Sequence, residues 1–297
     1  MLKYFLFQAA FVVFFSIVPK GGDCVAAEDN DKRIQELLES VRKEAYAKLH
    51  PVANELAKLG VETIPTLRKH LADPHRLVRE AVVRSLEKMG PAAKDAVPDM
   101  VKCLKDEIPR IRERAAAALE AIGKEARPAL NALVEALEDA DEEVVMQAAD
   151  ALTAIGPESQ PALMAILKKS KTKQQCNGAI RALYHLKPAD EALVAELMRM
   201  ALHNKDEDLR MEALNALGEI GPDASSAVPH LIGMLEKEPK LRWRVAFTLD
   251  MIGPKAKAAL PALRRLMDDE KTDALAAQHA AAAVISITNG EQSQAKP

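Results

Sequence analysis

Seven histidines and three cysteines are the side chains best suited to metal or nucleophilic chemistry: His50, His70, His75, His185, His203, His230 and His279, with Cys24, Cys103 and Cys176. Their spacing assembles no site. Zinc binding and cysteine nucleophiles need His or Cys partners in set local patterns, and neither Cys103 nor Cys176 has them. His70 and His230 fall on helices where a partly buried or solvent-facing imidazole is the plain reading. Cys103 falls where other parts of the chain place Ala136 or Met234, which makes it a small core residue. The sequence therefore assigns no catalytic residue, no metal and no cofactor. One basic stretch, Lys168-Lys169-Ser170-Lys171-Thr172-Lys173, is either a solvated turn or a contact for an acidic partner or anionic polymer that salt would weaken.

At the N-terminus, Lys3 precedes an apolar run from Tyr4 to Val18 broken only by Gln8 and Ser16, followed by Val25-Ala26-Ala27. That run is short for a membrane span. A charged start, an apolar stretch and small residues read as a secretory signal over residues 1–27, cleaved to leave Glu28 first. Retention as an uncleaved anchor is the alternative; a lipid site at Cys24 fits poorly beside acidic Asp23. The expected location is periplasmic or extracellular. Without residues 1–27 the chain carries 39 basic and 43 acidic side chains, a balance of −4, which is no footprint for nucleic acid. Its aromatics are then Tyr46, Tyr184, Trp243 and Phe247, so Leu, Ile, Val, Met and Ala must fill the interior. Such cores suit closely packed helices, because Ala lets backbones approach and has the best helix propensity.

Long helical chains demand a search for internal periods. Here the segment Ala227-Val228-Pro229-His230-Leu231 recurs as Ala259-Leu260-Pro261-Ala262-Leu263, and the proline position falls on Pro65, Pro98, Asn131, Pro161, Ala195, Pro229 and Pro261, with steps of 33, 33, 30, 34, 34 and 32 residues. Each unit continues through a turn into a second helix closed by Gly90, Gly123, Gly156, Gly221 or Gly253. Glycine there suits a left-handed helix end, and a following proline (Pro91, Pro157, Pro222, Pro254) stops the helix. Asp73, Asp106, Asp139 and Asp269 stand at the turn as expected N-caps of the second helices. Neither helix of a pair buries its apolar stripe alone, so the pairs must stack. The expected fold is all-α: a right-handed superhelical solenoid of about seven helix pairs, roughly 60–70 Å long at 8–10 Å per pair. Residues 28–59 read as capping helices, 60–288 as the array and 289–297 as a polar disordered tail. Cys103 and Cys176 then lie two units apart, too far for a disulfide.

The unit resembles the HEAT-like repeat of the phycobilisome-lyase type, whose pattern is Ala-Val-Pro-x-Leu, an Asp turn, then Val-Arg-x-x-Ala-Ala-x-Ala-Leu-x-x-Ile-Gly. The match covers about 230 residues and is specific for fold, since such repeats serve scaffolds, lyase subunits and hydroxylases. The resemblance implies an inter-repeat ladder of turn Asp and second-helix Arg. Asp73 with Arg79 and Asp106 with Arg112 fit it, Arg210 and Arg242 keep its basic half, and Val145, Cys176 and Ala277 replace the arginine. Deoxyhypusine hydroxylase, built from similar repeats, holds two irons with recurring His-Glu dipeptides; no histidine here precedes a glutamate. Bilin lyase or isomerase activity is the other enzymatic expectation. Such lyases work inside the cell, and the export signal points away from them.

Overlaying the second helices at Val78, Ile111, Val144, Gln175, Leu209, Leu241 and Ala276, at about 100° per residue, places the second and ninth following positions opposite the core. The first holds Glu80 and Glu113, then Met146, Asn177, Met211 and Trp243; the other holds Glu87 and Glu120, then Thr153, Tyr184, Gly218 and Asp250. In the family, second helices line the concave side. A stripe that turns from acidic to apolar there is an expected partner surface, because exposed apolar patches rich in Trp, Tyr and Met mark interfaces. The alternative is that these side chains fold down over neighbouring helices. The expectation is an exported, non-enzymatic scaffold that binds a protein or peptide on its concave face, with Met146, Tyr184, Met211 and Trp243 as contacts, Trp243 as anchor, and Arg181 and Arg244 at the rim.

Overall fold

The computed structural model describes residues 21–169, 172–186, 191–269 and 272–294. Most of the expected signal segment, and Ser170 and Lys171 of the basic stretch, lie outside them. The described chain is helical throughout, with no strand.

Two helices come first, α1 (Gly21–Glu44) and α2 (Leu49–Lys58). Seven pairs follow: α3 (Ile64–Lys69) with α4 (Arg76–Met89), α5 (Val97–Cys103) with α6 (Pro109–Ile122), α7 (Leu130–Ala136) with α8 (Glu142–Ile155), α9 (Gln160–Lys169) with α10 (Lys173–His185), α11 (Glu191–His203) with α12 (Glu207–Ile220), α13 (Val228–Lys237) with α14 (Arg242–Ile252), and α15 (Leu260–Asp268) with α16 (Ala274–Gln294). Every second helix from α4 packs on the second helix of the next unit, and α2 packs on α4 in the same layer. The result is an α-α superhelix with one continuous core. Wholly buried Ala81, Ala115, Ala148, Ala179, Ala213 and Ala246 repeat along the second-helix layer, where a larger side chain would hold the helices apart.

The prolines sit in the first turn of α3, α5, α9, α13 and α15, where a missing N–H costs nothing. Unit five lacks the proline, and α11 begins at Glu191, before the Ala195 that aligns with it. The last helix runs to Gln294, so the segment expected to be a disordered tail begins inside it; Thr288 Oγ1 donates to Val284 O 2.7 Å away within that helix.

Two details differ from the expected punctuation. The closing glycines have positive φ but not the left-handed helical conformation: Gly253 has φ 68° and ψ −140°. Its N–H still bonds Leu249 O, completing α14, and the chain then reverses into the 3-10 turn Gly253–Ala259. That mirror-image extended region is open essentially to glycine alone. A Cβ at Gly253 would meet nothing within 4 Å, so Gly253→Ala isolates backbone strain; a loss of about 1–2 kcal/mol is expected. Gly233, inside α13 and equally unobstructed, is the control. Gly233→Ala should gain about 0.5–1 kcal/mol, and urea midpoints of the two variants check both signs.

The turn aspartates do not cap the second helices. Asp73, Asp106 and Asp139 accept the N–H two residues on, from His75, Ile108 and Asp141 at 2.8, 2.9 and 2.9 Å, and so build the turn before the helix. True side-chain caps come from Asp141 on α8, Asp206 on α12 and, in place of the expected Asp269, Asp273 on α16, which accepts from Ala276 N at 2.8 Å. The aspartates of the turn are left to do something else.

They form the ladder, and each carboxylate pairs across units rather than within one. Arg79 donates to Asp106 Oδ2 and Oδ1 at 2.7 and 2.9 Å and to its own unit's Asp73 O at 2.9 Å. Arg112 repeats this with Asp139 at 2.6 and 2.7 Å and Asp106 O at 2.9 Å. The Asp73 carboxylate takes Arg42 of α1. Arg210 and Arg242 keep the carbonyl half, bonding Ala201 O at 2.7 Å and Leu235 O at 2.8 Å, while Arg210 also meets Glu238 at 3.1 Å. At the Cys176 gap, Gln174 and Gln175 donate instead to Asp139 O and Glu138, both at 2.8 Å.

Burial pushes the Asp139 carboxyl up, but hydrogen bonds from Arg112 and the Asp141 N–H, with the Arg112 charge, outweigh it and leave it below the ordinary carboxylate range. A depressed carboxyl contributes stability that is present above its unfolded pKa of about 3.9 and lost as pH falls through the folded value. Asp139→Asn should therefore be less stable than the parent at pH 7, with the gap closing below about pH 4. Urea midpoints at the two pH values read this directly. Cys103 and Cys176 are both buried and not joined in a disulfide, and burial pushes the Cys103 thiol up to about 12, which leaves it inert at neutral pH.

Candidate functional site

The face formed by the second helices changes character along its length. At its start the carboxylates are answered by arginines of the same face. Arg84 donates to Glu80 Oε1 at 3.1 and 3.0 Å, Arg110 reaches Glu113 at 2.6 Å, and Arg114 reaches Glu113 at 3.1 Å and Glu87 at 3.5 Å. Glu80, placed by periodicity on the solvent side, is only 4% exposed. A helix packed on both neighbours keeps a narrower open stripe than a lone surface helix, so that position is enclosed.

Beyond α6 this network gives way to a cleft of about 420 Å³ across α8, α10 and α12, in the size range of ligand sites. Val145 and Met146 line it from α8; Asn177, Arg181 and Tyr184 from α10; Glu212, Asn215 and Glu219 from α12. Glu142, Gln174, Gly178, Ile180, His185 and Ala216 complete its wall. The ladder arginine is missing where the cleft opens, since Val145 holds that place. Arg181 is tied to Asp150 at 2.9 and 3.2 Å, and that bond first, with the Asp150 charge, raises its already high pKa. Met146 is 38% exposed, one of the few large apolar side chains left open in the described chain.

Of the six residues expected at the partner surface, the structure brings Met146, Tyr184 and Arg181 together in the cleft. Met211 and Trp243 pack instead against the core. The Arg244 guanidinium lies 4.1 Å from the centre of the Trp243 ring and 5.5 Å from that of Phe247, and the His279 ring sits 5.9 and 5.6 Å from the same two. Trp243 thus stands apart from the cleft, in a contact satisfied within the chain. Burial lowers the Arg244 pKa against the pull of Glu212, and its Nε is buried without an acceptor. Periodicity pointed to Asn177 but missed Glu142, Glu212, Asn215 and Glu219. A signal was available for Asn215 alone, at the sixth position of the overlay, which is polar at Arg84, Asp150, Arg181 and Asn215 but apolar at Ala117 and Phe247.

Among the described residues no three His, Cys, Asp or Glu side chains gather into a metal-holding group, and no helix is long and apolar enough to cross a membrane.

Sequence patterns of HEAT repeats match residues 31–119, 64–135 and 161–246. The chain belongs to the HEAT-repeat family. Among solved structures, this HEAT-repeat chain is similar to the karyopherin Kap121p bound to the extreme C-terminus of the protein phosphatase Cdc14p, at 14% identity and TM-score 0.57, covering 88% of this chain and 38% of that one. It is also similar to importin beta, at 15% identity and TM-score 0.51, covering 89% and 40%. The complex of CpcE and CpcF of phycocyanin lyase from Nostoc sp. matches at 21% identity over 86% and 94% of the two chains, at a TM-score of 0.38 that carries no argument. Among curated proteins none matches. These likenesses establish the fold alone, a HEAT-like helical solenoid.

Proposed function

We propose that this HEAT-repeat chain is an exported, non-enzymatic scaffold that holds a protein or peptide segment on its second-helix face, centred on the cleft between α8, α10 and α12. The observation that carries the reading is the cleft itself, with Met146 and Tyr184 on its wall where the first units present a closed ionic network. An open groove between stacked helices suits an extended chain better than a small substrate. The karyopherin of the same fold, bound to a protein's extreme C-terminus, supports that mode of use. Export rests on the pattern of residues 1–27.

Affinity capture from the exported fraction tests the binding half: the parent protein should retain a discrete partner. Mass spectrometry of the mature chain tests the export half, with Glu28 expected as its first residue. A chromophore or metal co-purifying in stoichiometric amount would instead favour an enzyme or enzyme subunit of lyase type.

A further inference from the structure

We propose that the α8–α10–α12 cleft takes a cationic side chain, lysine or arginine, from an extended peptide segment. The inference rests on the binding role just described and names the chemistry of its occupant. Three carboxylates line the cleft: Glu142, Glu212 and Glu219. Among the described residues none of them has an ion-pair partner, whereas the permanently charged base in the same wall, Arg181, is held on both oxygens of Asp150. The first two units show what such carboxylates look like when the chain answers them itself: Glu80 has Arg84, Glu113 has Arg110 and Arg114. In the cleft the place of Arg84 is held on α10 by Arg181, which Asp150 already occupies, and Lys173 and Arg244 act on Glu212 without forming an ion pair, so the close positive charge is left for a partner to bring.

Unmet hydrogen bonding points the same way. Asn215 Nδ2 donates to Glu212 Oε2 at 3.4 Å. A carboxylate only accepts, so this contact fixes the orientation of the amide and leaves Asn215 Oδ1 as the atom without a partner. Asn177 Oδ1, across the cleft on α10, is likewise buried and without a donor. Both deficits are for donors, and a guanidinium or ammonium group carries donors alone. Tyr184 adds an aromatic wall against which a cation is favoured. Acidic side chains meet neither need, and neutral amides or hydroxyls bring donors without the positive charge.

The test uses the isolated full-length mature protein, immobilised and panned against a random-peptide display library, followed by fluorescence anisotropy on synthetic copies of the selected peptides. Cleft binders are those lost on Tyr184→Ala. They should carry Lys or Arg, lose about tenfold in affinity when that residue becomes Gln, and weaken as salt rises. The Glu212→Gln, Glu219→Gln double variant should lose a similar factor, while Glu113→Gln, answered by its own arginines, should not. Melting curves matching the parent show that the variants fold. Cleft-dependent peptides without basic residues, or indifferent to the double variant, would overturn this inference and leave the binding role intact. Selection of no cleft-dependent peptide would overturn both.

Discussion

Arg79→Ala should destabilise the array by about 3 kcal/mol, at the lower end of the cost of breaking a buried ion pair. Arg79 and Asp106 are almost wholly enclosed, at 9% and 10% side-chain exposure, and the guanidinium also satisfies the Asp73 carbonyl. Removing it leaves a carboxylate and a carbonyl between two units with little water to replace the donors. In a stack where each unit touches only its neighbours, weakening one seam should also divide the transition. Urea unfolding followed by circular dichroism should show α1 to α4 melting ahead of the rest. Arg210→Ala is the internal comparison: its carboxylate, Glu238, is 36% exposed, so a loss nearer 1 kcal/mol is expected. Equal costs at the two positions would remove the ladder from the account of stability.

Tyr184→Ala should weaken the natural partner at least thirtyfold, the effect of losing an interface anchor of about 2 kcal/mol. Met146→Ala should cost less, since Met offers a flexible contact with no ring. Trp243→Ala should behave differently. The ring is packed under Arg244 and beside His279, so its loss should register in thermal stability, with affinity little changed in the molecules that remain folded. Affinity and melting temperature measured together on the three variants separate the roles.

Why periodicity put Tyr184 and Trp243 on one stripe, while the structure gives them different surroundings, follows from what a repeat encodes. Spacing fixes which residues share a helix face, and the proline and glycine registers located every pair of the array. It does not fix how far adjacent helices stand apart, nor whether a large side chain on the open face meets solvent or a neighbour. Trp243 met Arg244 and His279, residues from its own and the following second helix. Glu80 fell on the open stripe and became buried because Arg84 and Arg110 enclose it. The ladder was legible as residue types but not as pairs: a turn two residues ahead of the helix leaves each aspartate facing the arginine of the preceding unit. The cleft was foreshadowed by the loss of that arginine at Val145 and Cys176.

The most direct measurement is site-specific photo-crosslinking in the producing cells, with a photoreactive phenylalanine analogue at position 184 and, separately, at position 113. Both lie on the second-helix face, one in the cleft and one in the closed ionic network. The account predicts a discrete adduct from position 184 and none from 113. Adducts from 113 alone, or from both alike, would contradict it.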